Sequence, residues 1–131
     1  MLSTRVAAVL EEYGPEIWGH LVDRLFALGR ELAKQVKQRE GFELAMEPEA
    51  NIVCFRLIPD QLNRDSLDQQ NGFTERLRQR HLEAGEHYVV MTRFDGTAWL
   101  RCTLMNPLTE AEDLEAMLNS LESIASGLIL Q

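Results

Sequence analysis

The chain has 131 residues, of which 45% are hydrophobic and 26% are charged, and this balance is typical of a single globular domain. A formal net charge of −8 without any basic block argues against nucleic acid as a partner. The longest apolar runs fall far short of the roughly 20 residues that span a bilayer, and the first residues have no signal-peptide pattern. We therefore expect a cytoplasmic protein that does not bind membranes.

Helical periodicity dominates the first forty residues. A short amphipathic helix is predicted over Thr4–Tyr13, and Gly14-Pro15 interrupts it, because proline favours the first position of a new helix. A long helix is predicted from Glu16 to about Gln38, where apolar residues recur at three- and four-residue steps. These residues are Trp18, Leu21, Val22, Leu25, Leu28, Leu32 and Val36. We expect this stripe to be buried.

Two β segments and a second long helix follow in the chain. Phe42–Leu44 is predicted as a short strand, and Asn51–Ile58, which is rich in β-branched and aromatic residues, is predicted as a longer one. A weaker helical pattern runs from Asn63 to Ala84 and stops at Gly85, a residue type that commonly follows the last turn of a helix.

The clearest local signal is a β-hairpin that turns at Asp95-Gly96. An Asp-Gly pair between two β-prone runs, here His87–Phe94 and Thr97–Met105, is typical of a two-residue type I′ turn. The last helix is predicted to begin with a capping box made by Thr109 and Glu112. The order α-α-β-β-α-β-β-α indicates an α+β fold, in which a small antiparallel or mixed sheet of three to four strands carries helices on one face.

The two-residue turn also fixes which hairpin residues share a face, because directly opposed residues point to the same side of a sheet. One face carries Val89, Met91, Leu100, Cys102 and Leu104. The other carries Tyr88, Val90, Thr92, Trp99, Arg101 and Thr103. We expect the helices to cover the first, apolar face. The second is unusual for a solvent-exposed sheet face, which is normally polar and charged.

Arg101 lies in the middle of that second face, and two interpretations of it remain open. In one, it is a surface arginine that lies over Trp99. In the other, its guanidinium is held for a carboxylate ligand, which it binds through two parallel hydrogen bonds. No acidic residue on either hairpin strand lies beside it.

Cysteine and histidine positions indicate no metal site. Cys54 and Cys102 lie in apolar strand patterns, and we interpret both as buried residues in a reducing compartment. They form no CxxC pair, and His20, His81 and His87 are scattered along the chain. No paired carboxylates, nucleophile-base set or phosphate loop is recognisable either, so an independent small enzyme is the least favoured hypothesis.

Two strand motifs resemble those of a known family. The run Asn51-Ile52-Val53-Cys54-Phe55-Arg56 looks like the "N-h-V-C-F-R" strand in the small domain of group II pyridoxal-phosphate-dependent amino-acid decarboxylases. This family includes glutamate, aromatic amino-acid and 2,4-diaminobutyrate decarboxylases. The run Trp99–Pro107, followed by Thr109 and Asp113, resembles the family's later strand, its "LR" and "NP" motifs and its final helix.

The resemblance implies the C-terminal small domain of such an enzyme, with the α+β fold of the small domain in fold-type I pyridoxal-phosphate enzymes. Residues 1–40 are then a helical segment that leads to a missing large domain, and residues 41–131 form the small domain. In the family, pyridoxal phosphate forms a Schiff base with a large-domain lysine that follows a histidine. The lysines here, Lys34 and Lys37, follow no histidine. We therefore expect no catalytic and no cofactor-binding residue in this chain, and pyridoxal phosphate only in the complete protein.

The resemblance also implies roles for individual residues. The arginine of the "LR" motif binds the substrate α-carboxylate in family members, and it corresponds to Arg101. For Arg56, in the first motif, we predict a structural ion pair. Candidates for lining the interface or the cleft are Tyr88, Trp99 and Asn106.

Two hypotheses about function follow. In the first, the chain is the C-terminal fragment of a pyridoxal-phosphate-dependent amino-acid decarboxylase, where it binds the substrate carboxylate and closes the active-site cleft, and it is inactive alone. Its partners are then the amino-acid substrate, the missing large domain and the second subunit of a homodimer. In the second, it is a freestanding module that binds a small molecule or a protein through the same sheet face, without catalysis. Tight, Arg101-dependent binding of an amino acid to the isolated chain would favour the second.

Overall fold

The computed structural model describes residues 15–48, 50–62, 65–84 and 89–129. The elements are α1 (Pro15–Gln38), β1 (Phe42–Leu44), β2 (Ile52–Leu57), α2 (Leu67–Ala84), β3 (Val90–Phe94), β4 (Thr97–Thr103) and α3 (Ala111–Ile129). The predicted α+β fold is confirmed. The helix predicted over Thr4–Tyr13 and the predicted strand residues His87 and Tyr88 lie outside the described residues.

The four strands form one antiparallel sheet in the order β1-β2-β4-β3. Its covered face is made by alternate residues that are nearly inaccessible to solvent, namely Phe42, Val53, Phe55, Leu57, Ala98, Leu100 and Cys102. Helix α1 packs against β1 and β2, α2 packs against β4 and β3, and α3 packs against both other helices. The helices and the covered face share one apolar core. None of these three helices is long and apolar enough to cross a membrane.

Helix α1 forms where the periodicity predicts it, but its two halves differ in burial. Leu28, Leu32 and Val36 lie in the core. The expectation that the whole stripe is buried is wrong at Trp18, which is 45% exposed. A helix of 24 residues is about 36 Å long, roughly twice the length of β2, the longer of the two strands on which it packs. The first turns of α1 therefore extend past the sheet.

The predicted β3–β4 hairpin is confirmed in its register and its turn. Asp95 and Gly96 have φ angles of 53° and 79°, and a type I′ turn needs positive φ at both central residues. The paired positions include Phe94 with Thr97, Thr92 with Trp99, and Val90 with Arg101. The side chain of Asn71 in α2 donates to the Gly96 carbonyl and accepts from the Ala98 N–H, both at 2.8 Å. The tip of the hairpin is thereby anchored to the helical layer.

The start of α2 differs from the sequence prediction. The helix begins at Leu67 and not at Asn63, and Asp65 and Ser66 are not helical. The Ser66 hydroxyl accepts a hydrogen bond from the Gln69 N–H at 3.3 Å, which is the geometry of an N-cap. Because Ser66 satisfies an N–H of the first turn, the helix starts immediately after it.

The predicted capping box of α3 is wrong by one residue. Thr109 and Glu112 do not form it; the Asp113 carboxylate instead accepts a hydrogen bond from the Glu110 N–H at 2.8 Å, so that Glu110 is the N-cap. The reason is a tertiary contact. Arg24 of α1 donates from Nη2 to the Thr109 carbonyl at 2.7 Å, which holds Thr109 outside the helix.

Candidate functional site

The second face of the sheet, here called the open face, points away from the apolar core, and helix α2 reaches it through Gln70, which contacts Arg56. It consists of Glu43, Ile52, Cys54, Arg56, Val90, Thr92, Phe94, Thr97, Trp99, Arg101 and Thr103. Strand alternation places them there, opposite the residues of the core. Two arginines minus one glutamate give this face a formal charge of +1, although the chain has a net charge of −8. A locally positive surface on an acidic protein favours an anionic ligand.

One row of side chains, here called the braced row, crosses all four strands of the open face. Glu43 of β1 accepts a hydrogen bond on Oε2 from Nε of Arg56 in β2 at 2.8 Å, and Nη2 of Arg56 forms an ion pair with the same oxygen at 2.8 Å. The Arg56 Cζ lies 5.0 Å from the ring centre of Trp99 in β4. The Trp99 ring stacks on Phe94 of β3, with centroids 5.7 Å apart and an interplanar angle of 10°. The row therefore joins a salt bridge, a cation–π contact and an aromatic stack.

Arg56 has a third partner in the helical layer. Its Nη1 donates to the side-chain oxygen of Gln70 in α2 at 3.0 Å, so that all three guanidinium nitrogens are engaged. Only 15% of the Arg56 side chain is exposed, and a charge withdrawn from water to this degree needs such partners. The predicted structural ion pair at Arg56 is confirmed. The arginine that lies over Trp99 is Arg56, and not Arg101 as one interpretation of the sequence held.

Arg101 lies in the next row, here called the open row, where it is paired with Cys54 on one side and Val90 on the other. Its side chain is exposed. None of the described residues forms a hydrogen bond, an ion pair or a ring contact with the Arg101 guanidinium. A hydrated guanidinium of this kind needs no internal partner, and it can bind a carboxylate through parallel hydrogen bonds.

The two cysteines lie on opposite faces of the sheet, which corrects the expectation that both are buried. Cys102 is 5% exposed on the covered face, and burial raises the pKa of its thiol to about 11. Cys54 is half-buried on the open face. Burial raises the pKa of the Cys54 thiol, and the positive charge of Arg101 partly opposes this shift. Among the described residues, no group of histidine, cysteine and carboxylate side chains could hold a metal ion.

The structure brings Trp99 and Arg101 together on the open face but does not place Asn106 there. Asn106 lies after β4, and its side-chain oxygen accepts a hydrogen bond from the Leu108 N–H at 3.0 Å. The side chain of Asn106 is thus engaged in a local turn ahead of α3. Tyr88 lies outside the described residues.

Sequence patterns did not indicate Glu43 and Gln70 as partners of Arg56. One signal for Glu43 exists, because alternation within Phe42–Leu44 leaves it as the polar residue opposite two apolar ones. Its pairing with Arg56 depends on how β1 registers on β2, and the polar turn around Pro48 between the two strands does not by itself fix that register. Gln70 belongs to another layer of the fold, and local sequence does not encode that contact.

The described residues do not fit the pyridoxal phosphate that the family resemblance implies. A Schiff base needs a lysine, and Lys34 and Lys37 are the two in the chain. Both are exposed on α1, and Lys37 forms an ion pair with Glu47. Because α1 packs on the covered face, neither amine lies beside Arg101.

The chain is similar to known proteins in both sequence and structure. No family model matches it. Rat cysteine sulfinic acid decarboxylase is 32% identical over 113 residues, which cover 82% of this chain and 23% of that enzyme. L-2,4-Diaminobutyrate decarboxylase of Acinetobacter baumannii is 26% identical over 126 residues, or 90% of this chain and 24% of the enzyme. The apo crystal structure of mouse CSAD is 27% identical with a TM-score of 0.84, over 92% of this chain and 27% of that structure. The chain thus spans about a quarter of the length of these relatives.

Proposed function

Because the chain belongs to the group II pyridoxal-phosphate-dependent amino-acid decarboxylase family and matches about a quarter of its relatives' length, we propose that it acts as the C-terminal small domain of such an enzyme. The open face forms one wall of the active-site cleft. The large domain, which residues 1–40 lead to, supplies the pyridoxal phosphate and the catalytic residues. The complete protein is a cytoplasmic homodimer, and this chain alone does not decarboxylate amino acids.

The observation that carries the proposal is the state of Arg101. It is the arginine of the open face that is exposed and has no described polar partner, whereas Arg56 is fully engaged. An arginine stays protonated at working pH, so its role is to anchor and orient the α-carboxylate of the substrate and not to transfer a proton. Trp99 lines the cleft beside it, and Tyr88 and Asn106 are candidates for the interface with the large domain.

The carboxylate site is tested by NMR titration of the 131-residue chain with L-2,4-diaminobutyrate, the amino acid in the name of one relative. The matched control ligand is 1,3-diaminopropane, which is the same molecule without its carboxylate. We expect the amino acid, with millimolar affinity, to shift the Arg101 Nε–Hε signal and the amide signals of Cys54 and Val90. The affinity is weak because a single arginine–carboxylate contact in water contributes little.

Two variants make this titration specific. Arg101→Met should abolish the shifts, whereas Arg93→Met should leave them unchanged, because Arg93 is an exposed arginine of the neighbouring strand that is paired with Glu75. Equal shifts with 1,3-diaminopropane would contradict a carboxylate site at Arg101. Micromolar binding would instead support a freestanding binding module.

The role in catalysis is tested with a chimera in which this chain replaces the matching C-terminal segment of rat cysteine sulfinic acid decarboxylase. We expect the chimera to decarboxylate cysteine sulfinate, and Arg101→Met to lower kcat/KM by roughly a hundredfold, because a charge-assisted pair contributes about 3 kcal/mol at most. Arg93→Met should change kcat/KM less than about twofold, as a surface change does. A folded, active chimera in which Arg101→Met has no effect would exclude the proposed role of Arg101.

A further inference from the structure

Arg101 has a competing position available on the open face. It lies two residues from Trp99 on the same side of β4, which separates their Cα atoms by roughly 7 Å. An arginine side chain spans that distance, and a guanidinium over an indole ring is a favourable arrangement. In that arrangement Arg101 would lie flat along the sheet and would be lost to a ligand.

Two described side chains other than Arg101 already contact the Trp99 ring. Phe94 stacks on the ring from β3, and Arg56 lies over it from β2. Since β2 and β3 flank β4 on opposite sides, the two side chains approach the indole from opposite sides.

Arg56 is itself fixed in place before any ligand binds. Glu43 holds two of its guanidinium nitrogens and Gln70 holds the third. Glu43 comes from a third strand and Gln70 from the helical layer, so the position of Arg56 over Trp99 is determined from two sides.

We infer that Arg56 is a positioning residue: it occupies the indole face that Arg101 would otherwise take, and so keeps the Arg101 guanidinium free for a carboxylate. The inference rests on the proposed function, since keeping the Arg101 guanidinium unpaired matters only if Arg101 binds the substrate carboxylate. It separates the two arginines of the open face into one that binds and one that keeps the binding residue available.

The inference is tested by NMR on the full 131-residue chain with Arg56→Leu. We expect the Arg101 Nε–Hε signal, identified by its loss in Arg101→Lys, to move upfield under the ring current of Trp99. We also expect new cross-relaxation between Arg101 and the Trp99 ring protons. The apparent Kd for L-2,4-diaminobutyrate should rise roughly two- to fivefold, because a cation–π contact between Arg101 and Trp99 would then compete with the ligand for the Arg101 guanidinium.

Two further variants complete the test: one keeps a cation beside Trp99, and the other exposes the Trp99 ring on its second side. Arg56→Lys keeps a cation over Trp99 and should restore both the Arg101 signal and the Kd. Phe94→Leu uncovers the other side of the indole without touching the Glu43–Arg56 pair, so it should reproduce the Arg101 shift even where Arg56→Leu fails to fold. An unchanged Arg101 signal in Phe94→Leu and in folded Arg56→Leu would overturn the inference.

The outcomes separate this inference from the proposed function. If the unaltered chain shows no Arg101-dependent response to the carboxylate, the proposed function fails, and with it the purpose assigned to Arg56. If the unaltered chain responds but Arg56→Leu has the same Kd and the same Arg101 signal, only the positioning role fails.

Discussion

The braced row and the open row lie side by side on one sheet face, and each contains one arginine. Arg56 has a carboxylate, an amide and an aromatic ring as partners and is almost withdrawn from solvent. Arg101, one step along the sheet, is exposed and has no described polar partner. The two residues have the same chemistry and the same type of backbone, so the difference lies in what surrounds them.

Burial explains the difference between the rows. A guanidinium that loses most of its hydration must recover that free energy from hydrogen bonds and charge, and losing one partner is then strongly destabilising. An exposed guanidinium keeps its water and contributes little to stability whatever lies near it. The braced row is therefore part of the fold, and the open row is available for function. Substitutions in the two rows should therefore differ in their effect on stability.

Glu43→Ala should lower the free energy of unfolding by about 2 kcal/mol, because it leaves Arg56 without its carboxylate. The cost stays below the 3–5 kcal/mol of a fully buried pair, since 35% of the Glu43 side chain is exposed and water screens part of the interaction. Urea denaturation measures the change. Glu75→Ala is the matched control: it removes the exposed partner of Arg93, and surface ion pairs contribute under about 1 kcal/mol. If Glu43→Ala lowers the free energy of unfolding no more than Glu75→Ala does, the braced row does not contribute to the fold as proposed.

Much of the sheet was predictable from sequence because its signals are local. Asp95-Gly96 encodes the turn, the turn encodes the register, and the register assigns each hairpin residue to a face. The sequence prediction was wrong where a tertiary contact determines at which residue a helix begins. Thr109 has a good cap residue type, yet the bond from Arg24 to its carbonyl holds it outside the helix.

The braced row was not predictable, because its members are brought together by pairing over long sequence distances. Arg56 meets Trp99 only once β2 lies beside β4, and those strands are separated by the whole of α2. The error at Cys54 has a different cause, because a local signal for its exposure was present in the sequence. Its apolar neighbours Val53 and Phe55 are buried, and alternation along β2 necessarily turns Cys54 to the other face.

The thiol of Cys54 reports the charge of its neighbour Arg101. Because Arg101 lowers the pKa of Cys54, Arg101→Met should raise that pKa. At pH 8 a smaller fraction of Cys54 is then thiolate, so its alkylation by iodoacetamide should be slower. A charge a few ångströms away near water contributes about 1 kcal/mol, so we expect a roughly two- to fivefold slower rate. Arg101→Lys retains the charge and should stay close to the unaltered chain.

Cys102 provides the internal reference for this measurement. Its thiol is buried and has a pKa of about 11, so it should remain unmodified in the folded chain at pH 8, and mass spectrometry of the modified peptide distinguishes the two sites. Faster alkylation of Cys54 in Arg101→Met than in the unaltered chain would show that Arg101 acts by shielding the thiol and not by its charge.

Arg101→Met should have the smallest effect on folding, with a change in the free energy of unfolding below about 0.5 kcal/mol, as is usual for exposed positions without specific contacts. The same substitution should remove the response to a carboxylate, and this separation of stability from binding is what distinguishes a functional surface arginine from a structural one. Arg56→Met, measured beside it by urea denaturation, should cost more, because Glu43 and Gln70 lose their shared partner and partly buried polar groups are left unsatisfied. Equal losses for the two methionine variants would mean that Arg101 has a structural partner, and the open row would then be as much a part of the fold as the braced one.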